Sequence, residues 1–251
     1  MVTPCDATMG AMTSPQVLII QHVPWEKPGR ILDSLEDTRI PTQTVTILDD
    51  RHPDLPDFGE MAGLVVMGGP MGALDFDEHP GLKAEAKLAR AAIAVGKPVL
   101  GVCLGHQIIA TALGAKLSKG KAPEIGFAPI RRVDRHDYFA MWNKQIDVLH
   151  WHDDVVGIPE GGQLLASSSL TTNQAFRVGT ALGLQFHLEV TPTLFEEWME
   201  EPAMTDGLRK SQISKMRDDF EEDNAKLMPL AEQVFSGFAA RCNTYARMIS
   251  R

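Results

Sequence analysis

The chain has 251 residues, a formal net charge of -9 at pH 7 and three cysteines. That length suits one domain with a sizeable core, or one domain with a modest extension, and the acidic balance excludes a broad surface for nucleic acid or anionic membrane. Cys5, Cys103 and Cys242 fit neither a disulfide framework nor a zinc spacing, and no apolar run has the length of a signal core or a bilayer span, so the expectation is a soluble cytoplasmic protein.

Residues 1–15 lack periodicity and read as a loose tail carrying Cys5. Residues 17–20 predict a first strand. Pro28 is expected in the first turn of a helix burying Ile31, Leu32 and Leu35, and residues 45–48 predict the next strand. Residues 64–67 predict a buried strand that stops at the loop Gly68-Gly69-Pro70-Met71-Gly72. A helix over 80–95, a strand over 98–102 and a helix over 104–113 follow. This alternation implies an α/β fold with a mostly parallel central sheet covered by helices on both faces. After Gly114, strand-like runs at 127–133, 146–151, 164–168, 175–178 and 182–186 predict antiparallel additions. Thr191 should cap a helix opening at Pro192 with Leu194, Phe195 and Trp198 buried. The remaining stretch predicts two helices, the second starting at Pro229.

The stretch Gly101-Val102-Cys103-Leu104-Gly105-His106-Gln107 sits where a buried strand turns directly into a helix. Such an elbow needs small neighbours and lifts its central side chain to the carboxyl edge of the sheet, where the helix N-terminus favours a thiolate. The same pattern also fits a small buried cysteine at a tight turn. Further on, His187 and Glu189 lie two apart at a strand end, which points both side chains one way and lets the carboxylate orient the imidazole. His150 and His152 share a face at strand spacing, but no carboxylate or cysteine cluster accompanies them in the sequence, so the expectation is a structural pair and no metal. His106 is expected to be a structural hydrogen-bonding residue, and Cys242 part of an apolar helix face.

Taken in order, the glycine loop, the cysteine elbow and the later His-x-Glu resemble class I glutamine amidotransferase domains. Residues 124–127, 147–154 and 173–176 look similar to stand-alone relatives of the GMP synthetase glutaminase domain. The resemblance covers about 16–195, with a tail at 1–15 and a C-terminal helical extension at 196–251 packed on the domain. It implies a flavodoxin-like sheet and a triad of Cys103 as nucleophile, His187 as base and Glu189 as its orienting acid. It further implies oxyanion donors at the Gly69 and Leu104 N–H groups, and glutamine contacts from Gln107, Ile125, Gly126 and Phe127. No cofactor is implied. Two positions depart from the family: Leu188 stands where proline is usual between the histidine and the glutamate, and Asp153 where glycine is more frequent.

Three functions are compatible with these residues. The first is a glutaminase that releases ammonia for an acceptor enzyme on a separate synthetase chain. The second is a γ-glutamyl hydrolase or peptidase using the same triad, and the third a non-catalytic binding protein on the same fold. Their common small-molecule partner would be glutamine or another γ-glutamyl compound.

Overall fold

The computed structural model describes residues 14–135 and 137–250. Cys5 and nearly all of the expected tail lie outside them. One nine-stranded sheet organises the chain in the order β2-β1-β3-β4-β9-β8-β7-β5-β6. Its parallel half consists of β1 (Gln16–Ile20), β2 (Thr42–Val45), β3 (Met61–Val66), β4 (Val99–Val102) and β9 (Ala181–Leu184). The antiparallel half continues through β8 (Ala175–Val178), β7 (Gln163–Ser167), β5 (Leu117–Arg132) and β6 (Gln145–Val156).

The central strands are apolar on both faces because helices cover both. Along β1, Val17 and Ile19 join one core with Ile31 and Leu35 of α1 (Arg30–Asp37), while Leu18 and Ile20 join the other. The second core also takes Leu82, Ala89 and Ala92 of α2 (Gly81–Ala94), and Ile108 and Ile109 of α3 (Leu104–Ala112). Among the described residues no helix is long and apolar enough to cross a membrane.

The C-terminal region departs from expectation. After α4 (Pro192–Glu200) and the short α5 (Pro202–Thr205), a single continuous helix α6 (Lys210–Ile249) contains Pro229 in its interior. An interior proline costs about 3 kcal/mol, and the tertiary contacts outweigh it. Leu227, Leu230, Ala231, Val234, Phe235, Phe238 and Cys242 line one stripe of α6 and complete the core beneath α1.

Three further boundaries move. Strand β2 is displaced towards the N-terminus of the expected 45–48, because it is a half-exposed edge strand and its apolar content is no guide. Ile47 instead backs α2, whose Gly81 N–H donates to Leu48 O at 2.9 Å. Helix α1 begins at Arg30 behind a positive-φ Gly29, so Pro28 precedes the helix. Strand β5 extends back to Leu117 across a polar, proline-containing segment whose pairing with β6 shifts register between Lys119 and Glu124. The expected cap at α4 is present, with Thr191 accepting from the Leu194 N–H at 3.2 Å.

Candidate active site

Strand β4 ends at Val102, and Cys103 turns the chain into α3 with φ 52° and ψ -104°, a left-handed conformation uncommon for a residue with a side chain. The turn is fixed by the Cys103 N–H donating to Leu184 O at 2.8 Å and the Gly105 N–H donating to Met67 O at 3.1 Å. Glycine at 105 is required by close approach, since a Cβ there would lie 2.0 Å from Val66 O. Cys103 opens onto a cleft of about 300 Å³ that Gly69, Leu104, Gln107, Ile125, Trp151, His152 and Asp153 also line.

His187 follows β9 and is stitched to β6 through its N–H, which donates to Leu149 O at 2.8 Å. Its Nδ1 lies 2.6 Å from Glu189 Oε1, and both side chains are buried. The Leu188 N–H donates to Glu189 Oε2 at 3.0 Å, a bond that proline at this position could not make. Arg30 grips the same segment, donating to Leu188 O at 2.9 Å and to Val190 O. Trp198 of α4 meets the imidazole edge to face at 4.9 Å and is itself held by Nε1 donating to Trp25 O. The imidazole plane is therefore set by a carboxylate on one side and an indole on another.

Burial alone would lower the His187 pKa, but Glu189 and the neighbouring Cys103 more than offset it, leaving the imidazole well above its ordinary range. Burial pushes the Cys103 thiol up, and His187 partly counters that shift. The two groups thus form a coupled acid–base pair in which charging either one favours charging the other.

Gly69 sits against the start of α3, close enough that a Cβ would meet the Leu104 side chain at 2.9 Å. Among the described residues neither the Gly69 N–H nor the Leu104 N–H is taken by a carbonyl or side chain. Gln107 lines the cleft, but its amide nitrogen is committed to Asp154 O at 3.1 Å and Gln185 Oε1 at 3.2 Å. The stretch grouped as glutamine-contacting divides. Ile125 borders the cleft, whereas Gly126, at φ 93°, is buried opposite His150 and Phe127 packs on Phe220 of α6. Asp153 reaches the cleft rim and pairs with Lys119 at 3.3 Å. His106 is fully buried beside Phe176, and burial lowers its pKa to about 3, with the adjoining Gly183 backbone countering only part of that shift.

Two groups were not singled out by sequence. Glu26 lies across Gly68, where a Cβ would come within 1.9 Å of its Oε2, and that oxygen is buried without a hydrogen-bond partner among the described residues. His22 bridges the same loop to α2, with Nδ1 2.9 Å from Gly68 O and Nε2 2.9 Å from Glu85 Oε2. A signal for Glu85 exists, since it falls on the α2 stripe of Leu82, Ala89 and Ala92; none marks Glu26.

Burial raises the Glu26 pKa from 4.5 to about 7. Between those values the folded chain keeps a proton that the unfolded chain releases, so this group makes stability fall as pH rises through that window. Urea denaturation should therefore show Glu26→Gln gaining stability relative to the natural chain at about pH 8 compared with about pH 5; an unchanged difference would refute the assignment.

Residues 30–204 match the model of the family "Glutamine amidotransferase class-I". The chain belongs to that family. It is 30% identical over 192 residues to the glutamine amidotransferase-like protein YfeJ of Salmonella typhimurium, covering 71% of this chain and 80% of that one. It is 29% identical over 169 residues to one subunit of the glutamine-hydrolyzing GMP synthase of Methanococcus aeolicus, covering 65% of this chain and 83% of the relative. A glutamine amidotransferase crystal structure from Thermotoga maritima superposes with a TM-score of 0.82 at 29% identity, covering 90% and 99% of the respective chains. The observed sheet agrees with the mostly parallel α/β core expected from the strand and helix rhythm, and the family with the flavodoxin-like fold that the resemblance implies.

Proposed function

We propose that this class I glutamine amidotransferase hydrolyses the side-chain amide of glutamine through Cys103, His187 and Glu189 and delivers the ammonia to an acceptor enzyme on another chain. The observation that carries this reading is the strained Cys103 at the mouth of a cleft, facing an imidazole whose far nitrogen is held by Glu189.

The Cys103 thiol gives its proton to His187, and the thiolate attacks the amide carbonyl. The oxygen that becomes negative is received by the Gly69 and Leu104 N–H groups, each such donor contributing about 2.7 to 4 kcal/mol to lowering the barrier. His187 then protonates the departing ammonia, leaving a glutamyl thioester. Water attacks the thioester with His187 as base, releasing glutamate and restoring the thiol. Glu189 stabilises the imidazolium in both halves and fixes the tautomer that presents Nε2 to the sulfur. A separate acceptor chain is supported by the match to a protein named as one subunit of a GMP synthase.

Purified protein should show a higher kcat/KM for glutamine than for a γ-glutamyl dipeptide, and the glutamine rate should rise when its acceptor enzyme is added. Preference for the dipeptide would instead favour a γ-glutamyl hydrolase, and no release from either compound, with or without partners, a binding protein.

A further inference from the structure

Glu124, His150 and His152 form a second buried cluster that amide hydrolysis does not use. The pairing of β5 with β6 places Glu124 opposite His152, and His150 lies two residues away on the same side of β6. The sequence offered no carboxylate or cysteine cluster beside the histidine pair, and the strand pairing supplies one carboxylate, Glu124.

Hydrogen bonding assigns the tautomers. His150 Nε2 is 3.2 Å from Ala128 O, and His152 Nδ1 is 3.2 Å from Asp154 O. A carbonyl can only accept, so those nitrogens carry the hydrogens, and in neutral rings the other two nitrogens present lone pairs. Those two, His150 Nδ1 and His152 Nε2, face the Glu124 oxygens at 4.0 and 3.4 Å. Lone pairs facing a carboxylate repel it; the Gln174 amide, 3.5 Å from His152 Nε2, meets one of them, and the His150 Nδ1 lone pair stays unmet unless a cation lies among the three. His150 Nδ1 is fully buried and has no hydrogen-bond partner among the described residues.

We propose that Glu124, His150 and His152 bind a divalent transition metal, zinc being the best match, with water as the fourth ligand. The three ligand atoms lie within 4.8 Å of one another. Tetrahedral zinc, with bonds of about 2.0–2.2 Å, holds its ligands about 3.3–3.6 Å apart, so side-chain shifts of about 1 Å or less complete the site. Two imidazoles and a carboxylate suit zinc better than calcium or magnesium. The outer contacts are those that metal ligands require: carbonyls fix each ring, and the Gln174 amide donates to Glu124 Oε2 at 2.9 Å. His152 also lines the Cys103 cleft, so the metal would brace the cleft wall by tying β5 to β6. This inference stands independently of the proposed amide hydrolysis.

The test is metal analysis of the untagged full chain, followed by chelator stripping and titration with cobalt(II). We expect about one zinc per chain, a visible cobalt d–d band, and a melting temperature that drops several degrees on chelation. His150→Gln and Glu124→Gln should each lose the band and the chelator response while keeping a native far-ultraviolet circular dichroism spectrum. The inference is overturned if stripped natural protein gives neither band nor melting shift with cobalt or zinc, in which case the Gln174 amide alone organises the cluster. It is equally overturned if both folded variants bind metal like the natural chain. If neither variant folds, the titration of the natural chain decides.

Discussion

Replacing Cys103 by alanine is expected to lower kcat for glutamine hydrolysis by about 10⁴-fold or more while leaving the fold intact. The size follows from losing the proposed nucleophile of a proposed triad whose members would act as a unit, where single deletions remove on the order of 10⁴ to 10⁶ in rate. The intact fold follows from the local geometry. Alanine keeps the Cβ, so the left-handed backbone at φ 52° is no more strained than before, and the polar interactions removed are those of Sγ with Trp151 O at 3.6 Å and with His187. Stability should change by less than about 1 kcal/mol. Steady-state ammonia release and a urea melt on one preparation check both halves. Activity within tenfold of the natural enzyme would place the nucleophile elsewhere.

The second large effect is on folding. Gly105→Ala should cost about 3 kcal/mol or more, because the new Cβ would lie 2.0 Å from Val66 O and 2.7 Å from its carbonyl carbon, both backbone atoms of a central strand. Neither β3 nor α3 can retreat, since Val66 sits between β1 and β4 and the Gly105 N–H is tied to Met67 O. Gly96→Ala is the control. Gly96 also has a positive φ, 78°, but nothing lies within 4 Å of its Cβ position, so only the backbone preference is forfeited, about 1 kcal/mol. Equal urea midpoints for the two variants would show that close approach at the elbow does not matter.

How much was legible in the sequence depended on how local the cause was. The elbow, the His-x-Glu spacing and the Thr191 cap are set by a few neighbouring residues, and each appears where the chain pattern put it. Strand β2 and the start of β5 escape the apolar pattern because half-exposed or irregular strands carry polar residues, and the apolar run that marks a buried strand is lacking. The sequence pattern divides α6 at Pro229 because the proline penalty is local, whereas the burial that overrides it comes from β3 and α1, distant in sequence. The same distance hid Glu26 and the meeting of Glu124 with the histidine pair. A carboxylate 26 residues before His150 becomes its neighbour only when the β5–β6 register is known. Leu188 read as a departure from the family, and in the structure its N–H contributes to holding Glu189.

Attack of Cys103 on a γ-glutamyl amide carbon can be probed by incubating the protein with an electrophilic glutamine analogue and mapping the adduct by peptide mass spectrometry. Modification at Cys103 that excess glutamine slows is predicted. Cys242 should stay unlabelled, because it is fully buried against Gly63 and burial pushes its thiol pKa far up. An unmodified Cys103, or labelling that glutamine does not slow, would rule out this thiol as the glutamine-directed nucleophile.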